Sequence, residues 1–341
     1  MCPTRSDVGR NRQRGFALAL TVFMMAFIVS VMGMAVDAGV LFSIRSRLSA
    51  AADSAALAAA REVSHGSSIA DANGQAADSA LRFLKAGFPA NYLGVDPAHT
   101  LVSTSFTRSM EAGRPTGQLL ISVHAEVAAP VYFMKLWGVA RVPVSVEGKA
   151  VRRNLVVVMV LDRSTAAMGA AKMPGYVSPY DSVGAVSFPS APVIKGPGPD
   201  NPNLAAALET AYREIRRVDQ KLAANVVLLV STGATDLTGR NTAIGQAKRL
   251  RDDPNYRIRI DSIRLGRPAD ADLLPIISNL RMIPSQHGGD PVHSTEDKPN
   301  RLHDPSQPEG TYVQSVNLQD LGGLLASEAS ALQTLSRVSV D

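Results

Sequence analysis

The sequence predicts an α/β protein with an N-terminal transmembrane helix, a small β-rich unit and a larger domain built on a mostly parallel sheet. Three observations predict this division. Residues 16–36 form an uncharged apolar run, residues 100–150 alternate apolar and polar side chains, and strand-like and helix-like stretches alternate over residues 154–338. With 341 residues, the chain is long enough for two folded units and connecting helices.

The composition is that of a folded protein with one segment suited to lipid. Hydrophobic residues make up 45% of the chain and charged residues 19%. The net charge is +5, but arginines concentrate before the apolar run, so the excess positive charge is local and does not predict a nucleic-acid partner. Cys2 is the single cysteine, so no intrachain disulfide can form.

The apolar run FALALTVFMMAFIVSVMGMAV is predicted to anchor the chain in a membrane. It spans 21 residues, and an α-helix needs roughly 20 apolar residues to cross the hydrocarbon core. The residues that mark this predicted anchor are Phe16, Phe23, Phe27 and Val36. A cleaved signal peptide is the alternative, but the run exceeds the usual apolar core of about 7–15 residues.

Charge on either side of the run predicts its orientation. Arginines lie in residues 1–15, and Asp37 follows the run. Positively charged flanks stay in the cytoplasm, so we expect a cytoplasmic basic tail and an extracytoplasmic remainder of the chain.

Two helices and a β-rich unit are expected after the anchor. Residues 37–87 form a predicted helical stalk, which is alanine-rich and broken once at SHGSS. Residues 100–150 contain LVSTSF, QLLISVHAEV and RVPVSVEGKAV, whose period of two is typical of half-buried strands. The intervening PVYFMKLW, residues 130–137, is expected to be a packed connection, with an interface patch as the alternative.

Residues 154–338 alternate between strand and helix patterns. LVVVMVL is an unbroken β-branched run, which is typical of a strand buried on both faces of a parallel sheet. The further predicted elements are strands at 181–188, 225–231 and 257–265 and helices at 204–218 and 242–250.

The N-terminal pattern resembles a known family. The segment from Arg14-Gly15 through the apolar run, and then Asp37, Gly39, Arg45 and Asp53 in an alanine-rich helix, resembles the Tad/Flp pilus-assembly proteins of the TadG (TadE/G-like) type. This resemblance implies a single-pass protein of the bacterial inner membrane whose partners are other pilus-assembly proteins. Gly15-Phe16 resembles a prepilin processing site, but Leu20 stands where an acidic residue is expected, so we do not predict processing.

The C-terminal pattern resembles a von Willebrand A (vWA) domain. Asp162-Arg163-Ser164 ends the first strand, DSVGAVSF is the second strand, and the segment 312–338 closes the domain with a helix. The resemblance implies a Rossmann-like, doubly wound sheet over residues 154–338.

The vWA resemblance also implies a metal site, which this sequence has largely lost. Asp162 and Ser164 match the family's oxygen ligands, and Asp236 could replace a missing carboxylate. The third serine position is Ala166, the threonine position falls near Pro202, and Thr232 stands in place of an aspartate, so the expected oxygens or their charges are altered or missing. Because Mg²⁺ is usually held by one or two carboxylates in near-octahedral geometry, we expect no cofactor.

No other constellation predicts chemistry. Residues 284–310 are rich in proline, glycine and charge and are expected to form an exposed loop, and His287, His293 and His303 have no metal-ligand spacing. Phosphate-binding, hydrolase and zincin motifs are missing from the sequence. We therefore expect a non-enzymatic pilus-assembly or adhesion protein with no small-molecule substrate. The alternative is a metal-dependent vWA adhesin that binds a surface ligand through Mg²⁺.

Overall fold

The computed structural model describes residues 8–96, 100–162, 178–188, 204–231, 237–265, 273–284, 297–315 and 321–335. These residues form helices and sheets that divide into two compact units. The first unit comprises Met1–Ala56, Ser79–Thr104 and Ser122–Lys149, and the second comprises Leu57–Asp78, Ser105–Ile121 and Ala150–Asp341.

The N-terminal helical region begins with one continuous helix. Helix α1 (Val8–Glu62) runs through the apolar run and the alanine-rich segment, and α2 (Ile69–Gly87) follows the predicted break. The backbone N–H of Asp71 donates to the Ser68 hydroxyl over 3.2 Å, and the N–H of Ser67 donates to the Asp71 carboxylate over 2.9 Å. The first bond satisfies a free N–H group in the first turn of α2, and the second ties the preceding segment to the same aspartate, so both fix where the helix begins.

The β-rich segment forms a three-stranded sheet in the order β1–β2–β3. Strands β1 (Thr100–Glu111) and β2 (Arg114–Pro130) are joined by two residues with positive φ, Ala112 at 49° and Gly113 at 79°. Such a turn matches the twist of an antiparallel hairpin. Strand β3 (Arg141–Arg153) completes the sheet, and alternate residues of β2 are buried, as its period of two predicts.

The second sheet is predicted to be mostly parallel, and its described strands are all parallel. Its strands are β4 (Leu155–Asp162), β5 (Ser182–Phe188), β6 (Ala224–Ser231), β7 (Arg259–Leu265) and β10 (Tyr312–Ser315). Their order is β10–β7–β6–β4–β5, and every neighbouring pair is parallel. The short strands β8 (Met282–Ile283) and β9 (Lys298–Pro299) form a separate antiparallel pair.

Helices cover both faces of the parallel sheet. Helices α3 (Leu204–Val218), α4 (Leu237–Arg251) and α5 (Leu273–Ile277) pack on one face, and α6 (Leu321–Leu335) packs on the other. Consecutive residues of β4 alternate between the two cores, which explains its uninterrupted apolar sequence. The arrangement is a mixed α/β fold with a doubly wound sheet, and the vWA assignment stays a prediction.

The described end of the expected loop is exposed at most positions but anchored at a few. Asn300 and Gln307 are buried, whereas Leu302 is 56% exposed. Polar side chains bind backbone groups here: the Asn300 amide donates to the carbonyl of Leu280 over 2.8 Å, and the N–H of Asp304 donates to the Asn279 side chain over 2.9 Å. A polar composition can therefore accompany burial when each polar group has a partner.

Candidate functional site

The first half of α1 presents a bare apolar surface. The predicted anchor residues are all exposed, from Phe16 at 73% and Phe23 at 72% to Val36 at 52%. Within the described residues, Leu18–Glu62 is the one helical stretch whose length and mean hydropathy, 2.3 in its most apolar window, are sufficient to cross a membrane. An unpartnered apolar helix face of this length is consistent with membrane anchoring.

The second half of α1 is buried along one side. Ile44, Leu48, Ala52 and Ala55 recur at helical spacing and are inaccessible to solvent. Strand β3 lies close to this side, because a Cβ placed on Gly148 would overlap the backbone of Ala52 and lie 2.6 Å from the Asp53 nitrogen. A side chain at residue 148 would push the helix away from the strand, so glycine sets their separation.

The candidate site lies where the two halves of α1 meet. Asp37 is 1% exposed, and its carboxylate accepts hydrogen bonds from the backbone N–H groups of Tyr132, Phe133 and Met134 at 2.8, 2.9 and 2.7 Å. These residues belong to the connection between β2 and β3, residues 131–140, which we call the aromatic loop. Asp37 therefore links α1 to the aromatic loop within the first unit.

The aromatic loop contains the 3-10 helix Met134–Trp137, and the three N–H groups lie at its start. The first N–H groups of a helical turn have no partner inside the turn, and their dipoles favour a negative charge. Burial raises the pKa of Asp37, but the three N–H groups together lower it more, so this pKa lies below its ordinary value of 3.8. The carboxylate is therefore charged at neutral pH, and the N–H groups of the loop backbone stabilise the charge.

Gly33 provides a second contact between α1 and the aromatic loop. It lies one turn before Asp37, and a Cβ at this position would overlap the ring of Phe133. The missing side chain lets the ring lie directly against the helix backbone. The loop consequently reaches back along the last turn of the apolar run.

The other three residues that carry the TadE/G-like resemblance, which with Asp37 we call the signature residues, have different surroundings. Gly39 is exposed, and a Cβ on it would meet nothing within 4 Å. Arg45 is exposed beside a shallow cavity of about 370 Å³ that Phe42 and Pro143 also line. Asp53 is half-buried where α1 approaches Gly148. Of the four signature residues, Asp37 is the one whose side chain holds another element in place.

The aromatic loop is the partner of Asp37 that sequence reasoning missed. Val131 is buried, but Leu136 and Trp137 are exposed, so core packing is wrong for the tip of PVYFMKLW. The sequence did contain a clue, since a carboxylate directly after an apolar run needs hydrogen-bond donors when it is buried. Nothing in the spacing indicated that the donors would come from a segment 95 residues later.

The predicted metal ligands fall largely outside the described residues. Asp162 is the last residue of β4, but the structure describes neither its side chain nor Ser164 and Asp236. Strands β4 and β6 are adjacent; the strand that follows β4 lies on one side of this pair, and the strand that follows β6 lies on the other. Open α/β sheets bind ligands at the carboxyl ends of two such strands. Within the described ranges no cluster of three His, Cys, Asp or Glu side chains could hold a metal, and His287 and His293 lie outside those ranges.

A second buried carboxylate belongs to the second unit. Arg152 and Asp181 form a bidentate ion pair at 3.0 and 2.9 Å, and each side chain is 1% exposed. The Asp181 carboxylate also accepts the backbone N–H groups of Leu155 at 2.8 Å and Ser178 at 3.0 Å, while Arg152 donates to the Ser64 hydroxyl at 3.2 Å. Such a complete set of partners offsets the desolvation of both charges.

A third buried carboxyl group, Glu328 of α6, has no guanidinium bonded to it among the described contacts. Burial raises the pKa of Glu328 above its ordinary value of 4.5, and the nearby Asp261 carboxylate adds to the rise. The Thr311 hydroxyl donates to Glu328 over 2.7 Å, and Arg259 is bonded to Asp261 instead, also at 2.7 Å. Both the Thr311 bond and the Arg259 charge favour the charged form of Glu328, but they do not outweigh burial.

Comparisons with known proteins bear on α1. Residues 15–62 match the family model described as putative Flp pilus-assembly TadE/G-like. No curated protein matches the sequence.

Two solved structures are similar at low identity. The PilB minor pilin from Streptococcus sanguinis is 10% identical, with a TM-score of 0.34 over 72% of this chain and 80% of that chain. A point mutant of the same pilin is also 10% identical, with a TM-score of 0.31 over 70% of this chain and 80% of that chain. The family match begins just before the apolar run and ends with α1, so the similarity to TadE/G-like proteins lies in this helix and supports a pilus-related role for the chain.

Proposed function

We propose that this chain is a single-pass protein of the bacterial inner membrane that serves a Tad/Flp-type pilus-assembly or adhesion system through protein–protein contacts. Residues 16–36 form the anchor, the preceding residues lie in the cytoplasm, and the folded remainder of the chain lies in the periplasm. Its partners are other pilus-assembly proteins. The observation that carries this proposal is that the family match coincides with α1, whose first half is bare and apolar.

The two halves of α1 support a division of labour. The first half has large apolar side chains on every side of the helix, which suits a lipid environment. The second half buries a stripe of alanines, which suits packing in water. One continuous helix can therefore join the membrane anchor to the folded periplasmic part.

We further propose that the chain acts by contact and not by catalysis. The supporting argument is chemical: the sequence contains no phosphate-binding, hydrolase or zincin motif. A component that recruits or aligns other proteins needs a stable fold and an exposed surface, and it needs no reacting side chain.

Reporter fusions test the membrane arrangement. Alkaline phosphatase fused behind Asp341 folds only outside the cytoplasm, so we expect it to be active, while a cytosolic reporter at the same end stays dark. The paired variant Phe23→Arg/Phe27→Arg places two charges in the apolar run and should abolish recovery in the membrane fraction. Ser46→Arg is the matched control, because Ser46 is exposed on the same helix beyond the run.

The pilus-related role is tested by deletion and rescue in the source bacterium. We expect deletion to reduce surface pili counted by electron microscopy, the full chain to restore them, and the Phe23→Arg/Phe27→Arg variant to fail. Capture from solubilised membranes should recover pilus-assembly proteins with the full chain. Normal piliation in the deletion strain would contradict the proposal, as would an active cytosolic reporter behind Asp341.

A further inference from the structure

The aromatic loop leaves several large apolar side chains exposed, although it contacts α1 at Asp37 and Gly33. Tyr132 is 55%, Phe133 39%, Leu136 84% and Trp137 58% exposed. These four residues lie within six consecutive positions, and a water-exposed surface rarely carries such a concentration of large apolar side chains. An apolar occupant of this surface is therefore expected.

The position of the loop on α1 indicates which occupant it is. Asp37 immediately follows the apolar run and binds the loop backbone, and the Phe133 ring lies against Gly33 within that run. With a rise of about 1.5 Å per residue, the loop reaches roughly 6 Å back along the predicted anchor. The exposed side chains thus lie at the depth where the anchor would leave the hydrocarbon core.

We propose that the aromatic loop inserts into the headgroup and upper acyl region of the membrane that holds α1. This inference rests on the proposed function, because it requires α1 to be an anchor. Tyrosine and tryptophan are the side chains that favour a membrane–water interface, since their rings are apolar and their N–H and O–H groups stay hydrated. The exposed Lys135 fits the same location, because its ammonium group can reach lipid phosphates.

Asp37 is the positioning residue of this arrangement. An unpaired carboxylate beside the hydrocarbon core would be costly, but three N–H groups satisfy this one. The same bonds fix the loop against α1, so they set both its depth and its orientation. Without them the loop would lose its attachment at this point, while the apolar run would still enter the bilayer.

Trp137 is the single tryptophan of the chain, so its fluorescence reports on the loop alone. The experiment uses the full chain in vesicles of phosphatidylcholine and phosphatidylglycerol, with and without bromine on the acyl chains. Flotation first shows whether the chain is bound to the vesicles. We then expect brominated lipid to quench Trp137, with stronger quenching from bromine near the headgroup than from bromine at the chain end, and aqueous iodide to quench it weakly.

The outcomes separate this inference from the proposed function. A chain that fails to float overturns both the anchor and the loop insertion. A chain that floats, but whose Trp137 is quenched by iodide and not by brominated lipid, overturns the loop insertion alone. Protection from both quenchers also overturns it, because the surface is then covered by protein, such as a second copy of the chain.

Variants test the positioning role of Asp37. Asp37→Asn should still float, but brominated lipid should quench Trp137 less and aqueous iodide should quench it more. Asp78→Asn is the matched control, since Asp78 is exposed on α2, and it should behave as the unmodified chain does. Leu136→Ser, which retains Trp137, should weaken quenching by bromine. Unchanged quenching in Asp37→Asn would overturn the positioning role.

Discussion

Asp37 and Asp181 are equally buried carboxylates that are stabilised in different ways. Asp181 faces the guanidinium of Arg152 and two backbone N–H groups. Asp37 receives three backbone N–H groups and no counter-charge among the described contacts. The comparison teaches that a backbone turn can replace a cation, at a position where a long charged side chain would have to lie beside an apolar helix.

The difference also predicts what each carboxylate stabilises. Asp181 joins strand ends and a loop of the second unit, so its loss should affect the whole unit. Asp37 holds one connection of the first unit, so its loss should be local. The following predictions test this contrast, from the largest expected effect to the smallest.

Removing the cation from the Asp181 site should have the largest effect. Arg152→Met leaves a buried carboxylate without its counter-charge, and we expect it to lower the free energy of unfolding by about 3–5 kcal/mol. Urea unfolding of the full chain in mild detergent, followed by circular dichroism, measures this change.

The matched control is an arginine–aspartate pair at the surface. Arg114 bonds Asp219 at 2.9 Å, but the arginine side chain is 74% exposed, so Arg114→Met should cost less than about 1 kcal/mol. The double variant Arg152→Met/Asp181→Leu should recover much of the lost stability, because no buried charge remains. Equal effects of Arg152→Met and Arg114→Met would contradict our account of the buried pair.

Adding a single methyl group to β3 should disturb its packing against α1, the helix that carries Asp37. Gly148→Ala would overlap the backbone of Ala52, and we expect it to lower the free energy of unfolding by about 1–3 kcal/mol. Gly74→Ala is the control, because a Cβ there meets nothing within 4 Å, and it should raise helix stability by about 0.5–1 kcal/mol. The same urea experiment compares the two; a neutral Gly148→Ala would show that helix and strand can separate without cost.

Loss of the Asp37 charge should release the aromatic loop without unfolding the protein. Asp37→Asn should speed hydrogen exchange at the amides of Tyr132, Phe133 and Met134 by about tenfold, while exchange in the parallel sheet is unchanged. The pKa of Asp37 lies below its ordinary value, so the stabilising contact is complete above that ordinary value. It is lost only as the pH falls through the lower folded value. Loop release already at pH 5 in the unmodified chain would contradict this.

The smallest effect should come from Glu328, which has neither an arginine nor a backbone turn bound to it among the described contacts. Because burial raises the pKa of Glu328, its contribution to stability is complete below 4.5 and is lost as the pH rises through the folded value. Glu328→Gln should therefore raise the urea midpoint at pH 8 and leave it unchanged at pH 4. Glu214→Gln, on the exposed face of α3, should change neither midpoint. A Glu328→Gln gain at pH 4 would show that titration is not its cause.

Much of the fold could be predicted because each element carries its own period. The run before Asp37, the alternation along β2 and the β-branched run of β4 are local patterns, and the structure contains the corresponding helix and strands. The burial of Asn300 within the predicted exposed loop could not be predicted, because composition does not show whether its side chain finds a backbone partner. The loss of the vWA-type metal site stays a prediction, since Ser164 and Asp236 lie outside the described residues.

The sequence by itself determined the apolar run of α1, the period of each strand and the TadE/G-like pattern around Asp37. Tertiary structure alone decided that this aspartate binds the aromatic loop, that Arg152 neutralises Asp181, and that β4 lies between β5 and β6. The physical reason is range. Side-chain periodicity is fixed by neighbours within a few residues, whereas hydrogen bonds and ion pairs between distant segments depend on which backbone groups the complete fold brings together.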